Sequence, residues 1–227
     1  MFIGHFGAGL AGKKVDPKPS LGTLFLAAQF LDLIWPVFLL IGLEKVRIAP
    51  GLTSATPLDF TFYPYSHSLL IVLFWSLLFG IIYYLFKKNI KTAVVLGVLV
   101  LSHWVLDLIV HIPDLPLVPW SNIKVGFGLW NSVPLTVLIE GLIFAGGVYL
   151  YLSSTKAKNK KGIFGFWILI VFLAGIYILN LFTPPPPTVE AIGYAGLLQW
   201  IFIIWAYWID RNRSHGAFVS NAVRQPV

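Results

Sequence analysis

The stretch LSHWVLDLIVHIPDLP sets His103, Asp107 and His111 four and four residues apart, with Asp114 three further on. At about 100° per residue these four side chains share one helical face. His103 and Asp107 are then one turn apart, about 6 Å along the axis, so both can reach one cation. The opposite face carries Trp104, Val105, Ile109 and Val110, which suit lipid. A buried hydrogen-bonded pair is the plain alternative for one His and one Asp so spaced.

Further ionisable residues lie in or beside apolar stretches. Asp32 sits in QFLDLIWP, one turn after Gln29. His67 lies in YPYSHSLL, Glu140 in VLIEGLIF and His5 in GHFGAGL. Placing such a group inside a membrane span costs at least about 2.5 kcal/mol, so it normally faces a cavity, a partner or an ion. Several carboxylates without a nearby Lys or Arg need either protonation or a cation. The chain has no Cys, which excludes disulfides and thiolate metal sites. Imidazole and carboxylate donors suit zinc first, then manganese, iron or magnesium. A zinc ion with an open position supplies a nucleophilic water near neutral pH, and a spare carboxylate can take its proton.

The elements that must carry these residues are membrane helices. Hydrophobic residues make up 58% of the chain and charged residues 11%, against about 25% charged in ordinary soluble domains. Apolar runs of about 20 residues span a bilayer. They occur at roughly 20–43, 67–86, 92–112, 131–152, 163–183 and 191–209, the first with an expected kink at Pro36. The fold class expected is all-α: a polytopic bundle of about six helices forming one domain over 1–213, with a flexible tail over 214–227. No basic n-region precedes the apolar part of MFIGHFGAGLAG, so no cleavable signal peptide is expected.

Charge placement supports six spans. One set of loops and ends holds Lys13, Lys14, Lys18, Lys87, Lys88, Lys91, Lys156, Lys158, Lys160, Lys161, Arg211, Arg213 and Arg224; the other holds only Lys45, Arg47 and Lys124. The positive-inside rule then puts both termini in the cytoplasm. The net charge of +7 is that of membrane-flanking loops rather than of a nucleic-acid surface. Trp35, Trp120, Trp130, Trp200, Trp205 and Trp208 fall near expected interfaces or helix ends, where anchoring is their ordinary role.

Taken in order, GHFGAGL, the aspartate of AQFLDLIWP, SHSLL and SHWVLDL resemble the bacterial inner-membrane proteins described as membrane-bound metal-dependent hydrolases. That group includes the LexA-regulated inner-membrane protein. The resemblance covers roughly residues 1–150. It implies His5, Asp32, His67, His103 and Asp107 as metal ligands. Leu31 stands where many members have Pro before the first acid. Tyr63, Pro64 and Tyr65 stand where they carry His-Arg, which removes a basic group that could bind phosphate. The order Asp, His, His-x-x-x-Asp is also similar to zinc-dependent phospholipase C and related nucleases, which implies phosphoester chemistry. For His5 to join the set, residues 2–12 must form a short re-entrant helix within the bundle. Gly4, Gly7, Gly9 and Gly12 permit such close packing.

The leading expectation is a membrane-embedded metal-dependent hydrolase of the bacterial inner membrane, among lipids, with a lipid or other phosphoester as substrate. Glu140, His111 and Asp114 are the candidates for general base or ligand support. A metal-ion or proton transporter could use the same His/Asp cluster, but would need polar residues reaching the cytoplasmic side, where spans five and six offer only Asn180 and Gln199. A non-catalytic scaffold, with the cluster fixing helix packing, is the third reading.

Overall fold

The computed structural model describes residues 1–215. Five helices are long and apolar enough to cross a membrane, and a sixth span is a pair of shorter helices bent by 55°. In chain order the helices are α1 (Ile3–Val15), α2 (Leu21–Ala28), α3 (Phe30–Leu40), α4 (Pro64–His67), α5 (Leu69–Lys87), α6 (Ile90–Val110), α7 (Val133–Ser154), α8 (Lys160–Phe182), α9 (Val189–Leu197) and α10 (Trp200–Arg211). The bent pair is α2 and α3. The last two helices together make one span.

Local chemistry marks the helix starts. Ser20, Asn89, Asn159 and Thr188 accept from the backbone N–H of Thr23, Thr92, Gly162 and Ala191, capping α2, α6, α8 and α9. The outward faces are apolar, with Leu77, Phe86, Val98, Leu142, Phe164 and Ile204 all more than half exposed. Lipid is the solvent for such a surface, and helices satisfy their own backbone polar groups there.

The first span breaks at Gln29 rather than at the expected Pro36. Gln29 leaves helical geometry at φ −99° and ψ 4°. Pro36 lies inside α3. Its missing N–H leaves the Asp32 carbonyl without its usual partner, and the Gln199 side-chain amide donates to that oxygen at 3.5 Å. Gly196 lets the last span close on the proline ring, since a Cβ there would lie 2.6 Å from Pro36 Cγ.

The short N-terminal helix forms over Ile3–Val15 instead of 2–12. It runs antiparallel to α6: His5 lies beside Asp107, and Asp16 accepts from the Thr92 hydroxyl. Its approach to α7 is a backbone contact at Gly7 and Gly147, where a Cβ on Gly147 would meet the Gly7 carbonyl at 2.2 Å. Met1 therefore sits within the bundle, and α1 leads from there to Lys13 and Lys14. Lys13 is buried and pairs with Asp210 at 3.1 Å.

The helix bearing His103 stops at Val110, earlier than expected. His111 is its C-cap and is extended, at ψ 144°. Pro113 disfavours helical geometry at Ile112, and the helix ends just before it. His103 and Asp107 thus share a helical face, whereas His111 and Asp114 belong to the loop beyond. The expected lipid face of α6 is only partly exposed: Val105 is open, but Trp104 and Val110 are buried.

At this end of the bundle two short hairpins cover the helices. β1 (Lys45–Ile48) pairs antiparallel with β2 (Leu58–Phe62), and β3 (Leu115–Pro116) with β4 (Lys124–Val125). Trp35 is buried against Phe60 of β2, so it is a core residue and not an interfacial anchor. At the lysine-rich end β5 (Thr155–Ala157) pairs with β6 (Arg213–His215). Ser214 and His215 are thereby held in a strand, contrary to the expected tail; the rest of that tail lies outside the described residues.

Candidate metal centre

Five of the ionisable side chains singled out in the sequence come together where α1, α3, α4 and α6 meet. Asp107 is the hub, and its two oxygens face different ways. Oδ1 lies 3.0 Å from His5 Nε2 and 2.5 Å from the amino group of Met1. Oδ2 lies 3.3 Å from His103 Nε2 and 3.7 Å from His67 Nε2. Asp32 Oδ1 is 3.6 Å from each of the same two nitrogens. The His5 and His103 rings stack with centroids 3.5 Å apart, inclined by 10°. Two sets of ligand atoms lie within 4.8 Å of one another: His5, His103 and Asp107; and Asp32, His67 and His103.

The break at Gln29 serves this geometry twice. It frees the Ala28 carbonyl, which accepts from His103 Nδ1 at 2.8 Å. A carbonyl can only accept, so Nδ1 carries a proton; in the neutral imidazole Nε2 then presents a lone pair. The break also turns Asp32 from a mid-helix residue into one in the first turn of α3, where the helix dipole favours negative charge.

The donor set fits a cation. His103 Nε2 is buried without a hydrogen-bond partner. Around it the contacts to Asp32 and Asp107 are 3.3–3.6 Å, longer than a charged hydrogen bond. Ligand bonds of about 2.0–2.1 Å in tetrahedral geometry separate neighbouring ligand atoms by about 3.4 Å. Among the described residues no Lys or Arg pairs with Asp32, Asp107, Glu44 or Glu140. All five groups are closely buried except Asp32, whose side chain is 24% exposed and forms the open edge of the cluster.

The remaining predicted site residues lie elsewhere. Glu140 on α7 accepts from the backbone N–H of Phe2 at 2.8 Å and Gly4 at 3.3 Å, so it holds the start of the helix that carries His5. His111 and Asp114 form their own buried pair at 2.8 Å between Nδ1 and Oδ1. The Tyr63 hydroxyl is 3.3 Å from both, and Trp130 packs on the His111 ring at 4.2 Å. Burial and the neighbouring Asp114 push the Tyr63 phenol well up. Tyr63 also packs against His67, at 5.3 Å between rings, so this pair adjoins the cluster through one aromatic ring.

Sequence reasoning missed Glu44 and Ser66. Glu44 lies past the end of α3, buried, and both its carboxylate oxygens accept from Ser66: Oε1 from the backbone N–H at 2.7 Å and Oε2 from the hydroxyl at 2.6 Å. Ser66 Oγ is in turn 2.7 Å from His67 Nδ1. Burial pushes the Glu44 carboxyl up, against these hydrogen bonds and the adjacent His67, which pull it down. The serine beside His67 was the available signal; its acid partner, 22 residues earlier, left none.

A family model described as YdjM inner membrane protein matches residues 3–183. No curated protein and no solved structure matches the chain significantly. The match spans most of the sequence and the whole of the cluster, and the chain belongs to the YdjM inner membrane protein family.

Proposed function

We propose that this inner-membrane protein holds one divalent cation at the Asp32, His67, His103 and Asp107 cluster with His5 beside it. In this reading it is a metal-dependent hydrolase acting on a lipid or other phosphoester. The observation that carries the reading is His103. Its Nδ1 is committed to the Ala28 carbonyl, so in the neutral imidazole the Nε2 lone pair faces two carboxylates with no hydrogen bond to either. Two neutral imidazoles and two carboxylates facing one another in a buried space repel unless a proton or a metal ion lies between them. Nitrogen and oxygen donors at this spacing favour zinc, then manganese or iron.

A bound divalent cation supplies Lewis acidity at a phosphoryl oxygen. The chain's own groups do the rest. Asp32, at the open edge, is where a substrate meets the cluster. His5 and the Met1 amino group share Asp107 Oδ1, leaving Oδ2 for the centre. His111 is held by Asp114 through Nδ1, so its Nε2 is the nitrogen left to accept a proton. By the positive-inside rule the lysine-rich loops favour the cytoplasm for that end, with the β1–β2 and β3–β4 hairpins on the opposite side.

Transport is the second reading. It is favoured by the broken first span, whose Asp32 carbonyl is reached by Gln199 of the last span; discontinuous helices build transporter sites. Zinc-loaded protein in detergent, assayed on phospholipid micelles and soluble phosphodiesters, separates the two. Hydrolysis that is lost in His103→Ala supports the hydrolase. Ion uptake into proteoliposomes without any hydrolysis would replace it with transport.

A further inference from the structure

We propose that Glu44 and Ser66 form a positioning relay for His67, which fixes the proton on Nδ1 and aims the Nε2 lone pair at the cation. The inference rests on the metal-centre reading above. The Ser66 hydroxyl has one proton and three neighbours, Glu44 Oε2 at 2.6 Å, His67 Nδ1 at 2.7 Å and, farther off, the Tyr63 carbonyl at 3.5 Å. A carboxylate only accepts, so the hydroxyl donates to Glu44 and accepts from His67 Nδ1–H. In the neutral imidazole that makes Nε2 the lone-pair nitrogen, 3.6 Å from Asp32 Oδ1 and 3.7 Å from Asp107 Oδ2. His103 reaches the same state through a backbone carbonyl. Imidazole ligands are typically oriented by a second hydrogen bond of this kind.

The relay is rigidly mounted. The backbone N–H groups of Leu43 and Glu44 both donate to the Phe38 carbonyl, at 2.8 and 3.1 Å, closing the end of α3. One segment of chain, residues 32–44, therefore supplies both Asp32 and the acid that orients His67. Glu44 is 1% exposed, and no Lys or Arg pairs with it among the described residues. A buried carboxylate so placed is costly unless a positive centre lies within reach, and the relay points to one.

The competing role is structural: through the Ser66 N–H, Glu44 also caps the four-residue helix α4. The test is made on full-length protein in detergent, by zinc affinity in chelator competition and by the visible spectrum of the cobalt-substituted protein. Glu44→Gln is nearly isosteric and keeps an acceptor for one of the two Ser66 donors. Its amide cannot accept on both sides, so either the Ser66 hydroxyl or the Ser66 N–H loses its acceptor, and Ser66→Ala, which removes the hydroxyl alone, separates relay from cap. Glu44→Gln and Ser66→Ala are expected to weaken metal binding by about 10- to 100-fold and to change the cobalt spectrum, whereas Ser66→Thr keeps both near wild type. Wild-type affinity and spectrum in Glu44→Gln and Ser66→Ala would leave Glu44 as a cap alone and overturn the relay. A wild-type protein that binds neither ion overturns the metal centre first and the relay with it.

Discussion

Two buried polar clusters lie within one aromatic ring of each other, and they are satisfied in opposite ways. The Tyr63, His111 and Asp114 cluster is closed by its own hydrogen bonds, 2.8–3.3 Å long, with one carboxylate, one imidazole and one phenol in complementary roles. The cluster of His5, Asp32, His67, His103 and Asp107 has two carboxylates, one of them paired on Oδ1 with Met1 and His5, further contacts of 3.3–3.7 Å, and two buried imidazole nitrogens with no partner. Both lie at the same end of the bundle and draw on α6 or the loop that follows it. Burial alone does not set a metal site apart; a partnerless imidazole nitrogen facing two carboxylates does, and on that ground a cation is proposed at the larger cluster.

The sharpest way to break this comparison is by ligand linkage. Zinc at 1,000 times its Kd should stabilise the wild-type protein by about 4 kcal/mol, read as a rise in thermal unfolding temperature that a chelator reverses. Asp107→Ala should show no zinc-dependent rise. A shift of equal size in that variant would mean the ion binds elsewhere.

The complementary change acts on the closed cluster. Asp114→Ala leaves His111 Nδ1 and the Tyr63 hydroxyl without their shared acceptor and should cost about 1–3 kcal/mol, with the zinc-dependent shift intact. Loss of that shift would show the two clusters to be one unit.

Gly147→Ala tests the scaffold of His5. Its new Cβ must push α1 away from α7, because it meets the Gly7 carbonyl backbone at 2.2 Å. A destabilisation of about 1–3 kcal/mol, typical of overpacking, is expected together with weaker zinc binding. Unchanged zinc affinity in a destabilised protein would remove His5 from the centre. The smallest effect is expected at Arg47→Ala. Its pair with Asp59 at 2.6 Å is solvent-exposed, and such pairs contribute about 0–1 kcal/mol; thermal unfolding should barely move and metal content not at all.

Much of the architecture was legible because membranes impose simple rules. Apolar run length and lysine placement separate six spans, and the structure has five such helices plus one bent pair. The His103 and Asp107 spacing survives because both lie inside one continuous helix. What was not legible depends on tertiary partners. Pro36 is the visible helix-breaker, yet the chain breaks at Gln29, since Gln199 takes over the carbonyl that Pro36 leaves free. His111 and Asp114 follow the periodic pattern on paper, but Pro113 ends the helix before the pattern can be used. Glu44 reads as a loop acid and becomes buried only because the end of α3 folds onto Ser66. Composition carries no trace of that contact.

Elemental mass spectrometry of the purified protein and of a folded His103→Ala, Asp107→Ala double variant tests whether a cation completes the larger cluster. Near-stoichiometric zinc, manganese or iron in the wild type and none in the variant is the predicted result. Metal-free wild-type protein, even after reconstitution with each ion, would contradict it and leave the cluster as a proton relay or a packing device.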